Sequence, residues 1–335
     1  MSRKICIPFI VVVFLFVLFP FSTFAKDLPK SIRFASLSIG MSGHLVATGV
    51  GTVMTKYSPI KVAVDPVGMH TAVLELIEKN EAQMGAIGTL DLVPYWRGVD
   101  FWKGRPQCVL AGMTTIRQYI LPHTTPKSGI KKVQDLRGKR VLADARPSPS
   151  VAAYSDALLQ AHGMTRRDVN WMQFNKAPDA VAALIEGRSD AYIYPSSSPP
   201  MMQLKTASGY YAIPLEPEPA KKMLERLLGY TYETMPAGYN GVVERATPAL
   251  AFYTTIFFRN DVADDVVYTL LKAALEHREE YGRVHPNLKD VDASRAATVV
   301  GVPFHPGAIK YYKEIGVWTP EHEKMNKELL AKYKR

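Results

Sequence analysis

With 335 residues, 47% of them hydrophobic and 21% charged, the chain can bury a large core, which excludes a disordered or low-complexity protein and allows two domains. Lys and Arg outnumber Asp and Glu by 41 to 31, and the net charge of +10 agrees with an anionic partner without demanding one. Two cysteines exclude a disulfide-stapled scaffold.

The N-terminus reads as a targeting segment. Arg3 and Lys4 precede an apolar run from Ile5 to Phe21, and Ser22-Thr23-Phe24-Ala25 places small residues where a signal peptidase cuts. Residues 1–25 are expected to be a cleaved signal peptide, with Lys26 the first residue of a periplasmic protein. An uncleaved anchor is the alternative, since the run approaches spanning length. Thr23, Ala25 and Pro20 favour cleavage. Cleavage also removes Cys6, so the mature chain has no intramolecular disulfide. Cys108, in Gln107-Cys108-Val109-Leu110-Ala111, reads as a small apolar residue of a buried strand.

Ile32, Phe34 and Ser36 alternate with Arg33 and Ala35 as in a strand. Ser38 to Gly43 form a small-residue loop, and Leu45, Val46, Val50, Val53, Met54 and Tyr57 follow at helical spacing. A helix start behind such a loop offers free N–H groups and the positive end of a dipole to an anion. The pattern of strand, loop, helix, strand, helix and strand returns at an offset of about 108 residues. Lys139 to Ala143 matches the first strand, Val169 to Gln173 matches Lys61 to Asp65, and Ala180 to Glu186 matches Ala72 to Glu78. The fold class expected is α/β, two similar β-α-β-α-β lobes with a cleft at their strand carboxyl ends.

The stretch from Asp91 to Gly104 carries Tyr95, Trp96, Phe101 and Trp102 and reads as a loop packing its rings on the first lobe. Arg97 and Arg105 beside these rings do not make a nucleic-acid surface in a secreted chain. Val109 to Leu121 reads as a strand leaving the first lobe, and Leu250 to Phe258 as one returning, so the chain crosses twice and a hinge is expected. The expected division is 26–121 plus 245–335 for lobe I and 122–244 for lobe II. Val262 to Arg278 stripes a helix with Asp264 and Asp265 in its first turn. Short helices follow from about residue 292 and after His305, and the charged segment Pro320 to Arg335 wraps the outside.

Four stretches now carry a resemblance. His305-Pro306-Gly307-Ala308-Ile309-Lys310-Tyr311-Tyr312-Lys313-Glu314, Asp135-Leu136-Arg137-Gly138-Lys139-Arg140-Val141, Met235-Pro236-Ala237-Gly238-Tyr239 and Asp265-Val266-Val267-Tyr268 resemble the TAXI family. These are the extracytoplasmic solute-binding proteins of tripartite ATP-independent periplasmic (TRAP) transporters. The resemblance implies a type II periplasmic-binding fold that closes on a ligand and delivers it to TRAP permease membrane subunits. It implies glutamate, other dicarboxylates or related small organic anions as ligands. Three cleft loops depart from the family pattern: Ser42-Gly43-His44-Leu45, Gly68-Met69-His70 and Ser148-Pro149-Ser150-Val151. Ligand identity therefore does not carry over.

The candidate ligand residues lie where strands end and helices begin. In the first lobe they are Ser38, Ser42, Gly43, His44, His70, Thr89 and Asp91; in the second, Arg146, Ser148, Ser150, Tyr194, Ser196 and Ser197; near the hinge, Tyr239. Ser42 suits a ligand contact or a helix cap equally. His44 and His70 suit hydrogen bonding to a carboxylate, and neither forms zinc-ligand spacing with Asp65 or Asp91. Arg146 is the expected anion clamp, because a guanidinium fork matches a carboxylate with two parallel bonds. No Gly-x-Ser-x-Gly elbow, His-Glu-x-x-His or phosphate loop occurs, so an enzyme is not expected, nor a cofactor. The expected protein is a monomer that binds a small organic anion and no nucleic acid. A ligand sensor facing a signalling partner is the alternative, with a periplasmic enzyme behind it.

Overall fold

A computed structural model describes residues 28–145, 149–174, 177–196, 200–284 and 286–332. The segment 1–25, expected as a signal peptide, lies outside them. Strand β1 (Ser31–Leu37) leads into α1 (Ser42–Tyr57), β2 (Lys61–Gly68), α2 (His70–Glu78), β3 (Met84–Gly88) and α3 (Thr89–Arg97). The long strand β4 (Val109–Thr124) leaves this half. The series then repeats as β5 (Arg140–Ala145), α4 (Pro149–Ala161), β6 (Asn170–Phe174), α5 (Ala177–Ile185), β7 (Ala191–Pro195) and α6 (Pro200–Ser208). Strand β8 (Tyr211–Ala212), helix α7 (Pro217–Leu224) and β9 (Thr231–Met235) precede the second long strand, β10 (Thr247–Arg259). Helices α8 (Asp264–Glu276), α9 (Arg278–Tyr281), α10 (Ala293–Ala296), α11 (Pro306–Glu314) and α12 (Pro320–Lys332) complete the chain.

The strand order β2-β1-β3-β10-β4-β7-β5-β6 contains the repeat as a symmetry. In each half the first strand lies between the second and third, all parallel, and the third pairs antiparallel with a long strand: β3 with β10, β7 with β4. The two long strands pair with each other from Leu250–Ile120 to Arg259–Val109. Two separate apolar clusters result. One gathers Phe34, Val50, Met54, Ile87, Phe257, Leu270 and Tyr312. The other gathers Tyr119, Leu142, Tyr154, Leu158, Tyr192, Ile213 and Phe252.

Two local expectations change. The aromatic stretch expected as a loop begins as a helix, α3, with Pro94 inside it. Its rings form the packing: Tyr95 meets Trp102 edge-on at 5.6 Å, and both are buried, while Phe101 stays exposed. Cys108 precedes β4 instead of lying in it and is only half-buried. Burial pushes its thiol upward, and Tyr95 Oη lies 3.4 Å from its sulfur.

The His305-Pro306-Gly307 motif has a structural use. His305 caps α11, its Nδ1 accepting the Gly307 N–H at 3.2 Å. A Cβ on Gly307 would lie 2.1 Å from the Asp264 carbonyl oxygen, so glycine lets α11 meet the start of α8.

Another buried histidine predicts acid sensitivity. His123, on β4, is fully buried; Nε2 lies 2.7 Å from the Tyr194 carbonyl and Nδ1 2.8 Å from Tyr210 Oη. Burial lowers its pKa from 6.5 to about 4. The unfolded chain therefore binds this proton more readily between those values, and stability present above pH 6.5 is lost as pH falls toward 4. The loss expected from this group is about 3 kcal/mol. Denaturation midpoints at pH 7 and pH 4 should fall less in His123→Gln than in wild type; an equal fall in both contradicts the assignment.

Candidate functional site

Helices α1, α2 and α3 all begin at strand carboxyl ends of the first lobe, and α4 begins at one in the second. In a sheet of this kind the positive ends of such helices lie on the strand-carboxyl side. The N-cap residues of α1, α2 and α3 are Met41, Met69 and Gly88, and none supplies a side-chain cap. The N-cap residues of these three helices therefore give their first turns no side-chain acceptor.

A polar chain runs from the start of α1 to the two long strands. Ser42 donates its hydroxyl to Gln118 Oε1 at 3.0 Å, and Gln118 Nε2 donates to Thr254 Oγ1 at 2.6 Å. Gln118 and Thr254 lie on the two crossing strands and are buried. Ser42 is thus no cap for its own helix; it ties the start of α1 to the crossing. Gly43 is required by packing, because a Cβ there would lie 2.8 Å from the Ala86 carbonyl. His44 Nδ1 is 2.9 Å from Ser36 Oγ and its Nε2 3.3 Å from Thr48 Oγ1. Burial pushes this imidazole below its ordinary value. Ser38 is exposed and reaches the Gly68 carbonyl at 3.4 Å.

On one side the two lobes are bonded through Asp91. This carboxylate, in the first turn of α3, has no exposed surface. Its Oδ1 accepts the Ser150 hydroxyl at 2.6 Å and the Ser150 N–H at 3.3 Å. Pro149 has no N–H to give, so Asp91 caps α4 from the other lobe. Its Oδ2 lies 2.7 Å from His70 Nδ1, and that side chain is only 8% exposed. Tyr230 donates to the Ser150 carbonyl at 3.4 Å; burial first, and then the Asp91 charge, push its phenol far upward. Next to this contact, Thr89 donates to the Gly229 carbonyl at 2.7 Å and accepts the Tyr253 N–H at 3.1 Å.

A second contact closes the other side. Asn287 Nδ2 donates to Asn240 Oδ1 at 2.9 Å, and Asn240 Nδ2 reaches the Ser196 carbonyl at 3.4 Å. Tyr239 donates to the Arg117 carbonyl at 2.7 Å and sets its ring edge-on to Tyr119 at 5.0 Å. Ser196 donates to the Tyr119 carbonyl at 3.1 Å. Tyr194 is stacked on Tyr192 at 5.1 Å, and burial raises its phenol to about 12.

Of the expected residues, the structure brings His70, Asp91 and Ser150 together, while Ser42 bonds to Gln118. The hydroxyls of Thr89, Ser196 and Tyr239 are engaged with backbone, and Tyr194 belongs to the second core. Arg146, Ser148 and Ser197 lie outside the described residues. Sequence reasoning missed Gln118, Thr254, Tyr230, Asn240 and Asn287. Gln118 did leave a signal, as a lone amide in the strand Ile116 to Leu121. Among the described residues no His/Cys/Asp/Glu group is arranged to hold a metal ion, and no helix is long and apolar enough to cross a membrane. A surface groove of about 440 Å³, lined by Thr48, Thr52, Thr55, Lys56, Val62 and Val64, lies on α1 beside strand β2.

The NMT1-like family model matches residues 41–316. A solved periplasmic transporter aligns over 89% of this chain and 94% of its own, at 14% identity and a TM-score of 0.55. A structure from work on glutathione import in Gram-positive bacteria, through GshT and the cystine ABC importer TcyBC of Streptococcus mutans, aligns over 79% of this chain and 97% of its own. Its identity is 12% and its TM-score 0.50. The aliphatic sulphonate binding protein SsuA from Escherichia coli aligns over 91% and 87%, at 14% identity and a TM-score of 0.45. The expected α/β fold class stands, and the fold is like that of the solved periplasmic transporter.

Proposed function

Since the chain belongs to the NMT1-like family, we propose that it is an extracytoplasmic solute-binding protein that takes a small organic anion between its lobes and delivers it to a membrane importer. The observation that supports this reading is the joining of three helix starts, α2 and α3 from one lobe and α4 from the other, through the Asp91 carboxylate. Helix dipoles there favour negative charge, which Asp91 already supplies at the start of α4. The Ser42–Gln118–Thr254 chain supports it by joining one helix start to both crossing strands. A solute touching α1 and α4 together favours whichever lobe separation lets it reach both, and that differential is what drives closure.

The permease is the finer part of the proposal. The TAXI resemblance favours TRAP membrane subunits. The second reading is an ABC importer, favoured by the importer named with the GshT structure. Export to the periplasm through cleavage after Ala25, and a monomeric state, belong to the same proposal.

Arg146 enters on the sequence argument alone, as the guanidinium between the end of β5 and the start of α4. The test incubates purified protein with a mixture of mono- and dicarboxylic acids, amino acids and sulfonates, then identifies what it retains. A binder returns one compound unchanged, whereas turnover of that compound contradicts the reading. Arg146→Ala is expected to weaken retention at least tenfold, equivalent to about 1.4 kcal/mol. A change under threefold in the folded variant removes Arg146 from the site.

A further inference from the structure

Three exposed apolar side chains follow strands of the two lobes and take no part in the polar contacts above. Ile39, in the turn between β1 and α1, is 78% exposed, more than any other large hydrophobic residue described. Met69, 43% exposed, directly precedes α2. Their two turns are tied together, the Ser38 N–H donating to the Gly68 carbonyl at 3.1 Å. Gly40 and Gly68 hold φ at +86° and +108°, values that fix the turns and favour glycine. On the second lobe Met202, also 43% exposed, stands in the first turn of α6, which follows β7. Met202 reaches the segment around Gly241, where a Cβ would lie 2.7 Å from its terminal methyl.

Exposed hydrophobic residues scattered singly need no explanation. These three follow the carboxyl ends of β1, β2 and β7, two on the first lobe and one on the second, the side of such sheets where ligands bind. Resting on the solute-binding reading above, we propose that Ile39, Met69 and Met202 form an apolar collar and that the solute carries a hydrocarbon arm behind its anionic head. The spacing supports this order. His70 directly follows Met69, and Ser42 lies three residues after Ile39, so an acid group at the helix starts brings the rest of its molecule past the collar. Methionine is unbranched and polarizable and adapts to arms of different shape. A second hydroxyl or carboxylate at the collar would lose water and gain no charged partner from these three side chains.

The test titrates wild type and the Ile39→Ser/Met69→Ser double variant with straight-chain monocarboxylates from propionate to octanoate, and with tartrate. Both substitutions are at exposed positions, and circular dichroism verifies folding. In wild type, affinity is expected to rise about two- to fourfold per added methylene. In the double variant the gradient should flatten, with propionate affinity within about threefold of wild type. A flat wild-type series, or a gradient unchanged in the double variant, overturns the collar. Binding of tartrate with no alkyl acid overturns the collar and keeps the solute-binding reading. Binding of no small molecule, in this series or in the wider mixture above, overturns both.

Discussion

Replacing Asp91 with alanine is expected to lower the free energy of unfolding by about 3–5 kcal/mol, the range for removing one partner of a buried charged contact. The carboxylate has no exposed surface, so nothing replaces it from solvent. Its loss strands the Ser150 hydroxyl and N–H, 2.6 and 3.3 Å away, and leaves His70 without its neighbour at 2.7 Å. Each buried donor left unpaired costs about 1–3 kcal/mol. Asp91→Asn keeps an acceptor for Ser150 and should lose roughly half as much. Guanidinium denaturation followed by tryptophan fluorescence and circular dichroism provides the measurement. A loss under about 1 kcal/mol in Asp91→Ala would show that the contact contributes no more than a surface pair.

The second large effect is expected at Gly229. This residue has φ +78°, and a Cβ on it would lie 2.2 Å from the Thr89 carbonyl oxygen and 2.6 Å from its carbon. Alanine therefore meets two costs, the left-handed conformation and a backbone collision that no side-chain rotation relieves. The first is about 1 kcal/mol. The second separates the segment from α3 and breaks the 2.7 Å bond from Thr89 to the Gly229 carbonyl, for a total of about 3 kcal/mol. Gly238 is the control, with φ +81° and nothing within 4 Å of its Cβ position. Gly238→Ala should show the conformational cost alone. Equal losses in the two variants would mean that the approach of residue 229 to α3 contributes nothing.

The repeat and both crossings were legible because they are patterns along the chain. Apolar alternation and helical spacing at β1, α1, β2 and α2 return at β5, α4, β6 and α5, and the sheet pairs them in the same order. Helix starts were legible for the same reason, and so was their anion-favouring polarity. The contacts at those starts were not. Asp91 and Ser150 are 59 positions apart, and Gln118 and Thr254 are 136 apart. Only the assembled sheet makes them neighbours. Thr89 and Tyr239 were picked for position and residue type, yet packing turned their hydroxyls toward the Gly229 and Arg117 carbonyls. The motif at His305 was the most recognisable stretch and lies in a helix cap against α8, because a cap and a close helix contact restrict residue type as tightly as a ligand does.

The account is tested most directly by amide hydrogen exchange on the full chain, with and without the compound retained from the acid mixture. A solute held between the lobes should slow exchange around the starts of α1 and α2 in one lobe and of α4 and α6 in the other together, because these segments follow strand carboxyl ends in both lobes. Protection confined to one lobe, or to the groove between Thr48 and Val64, would contradict it.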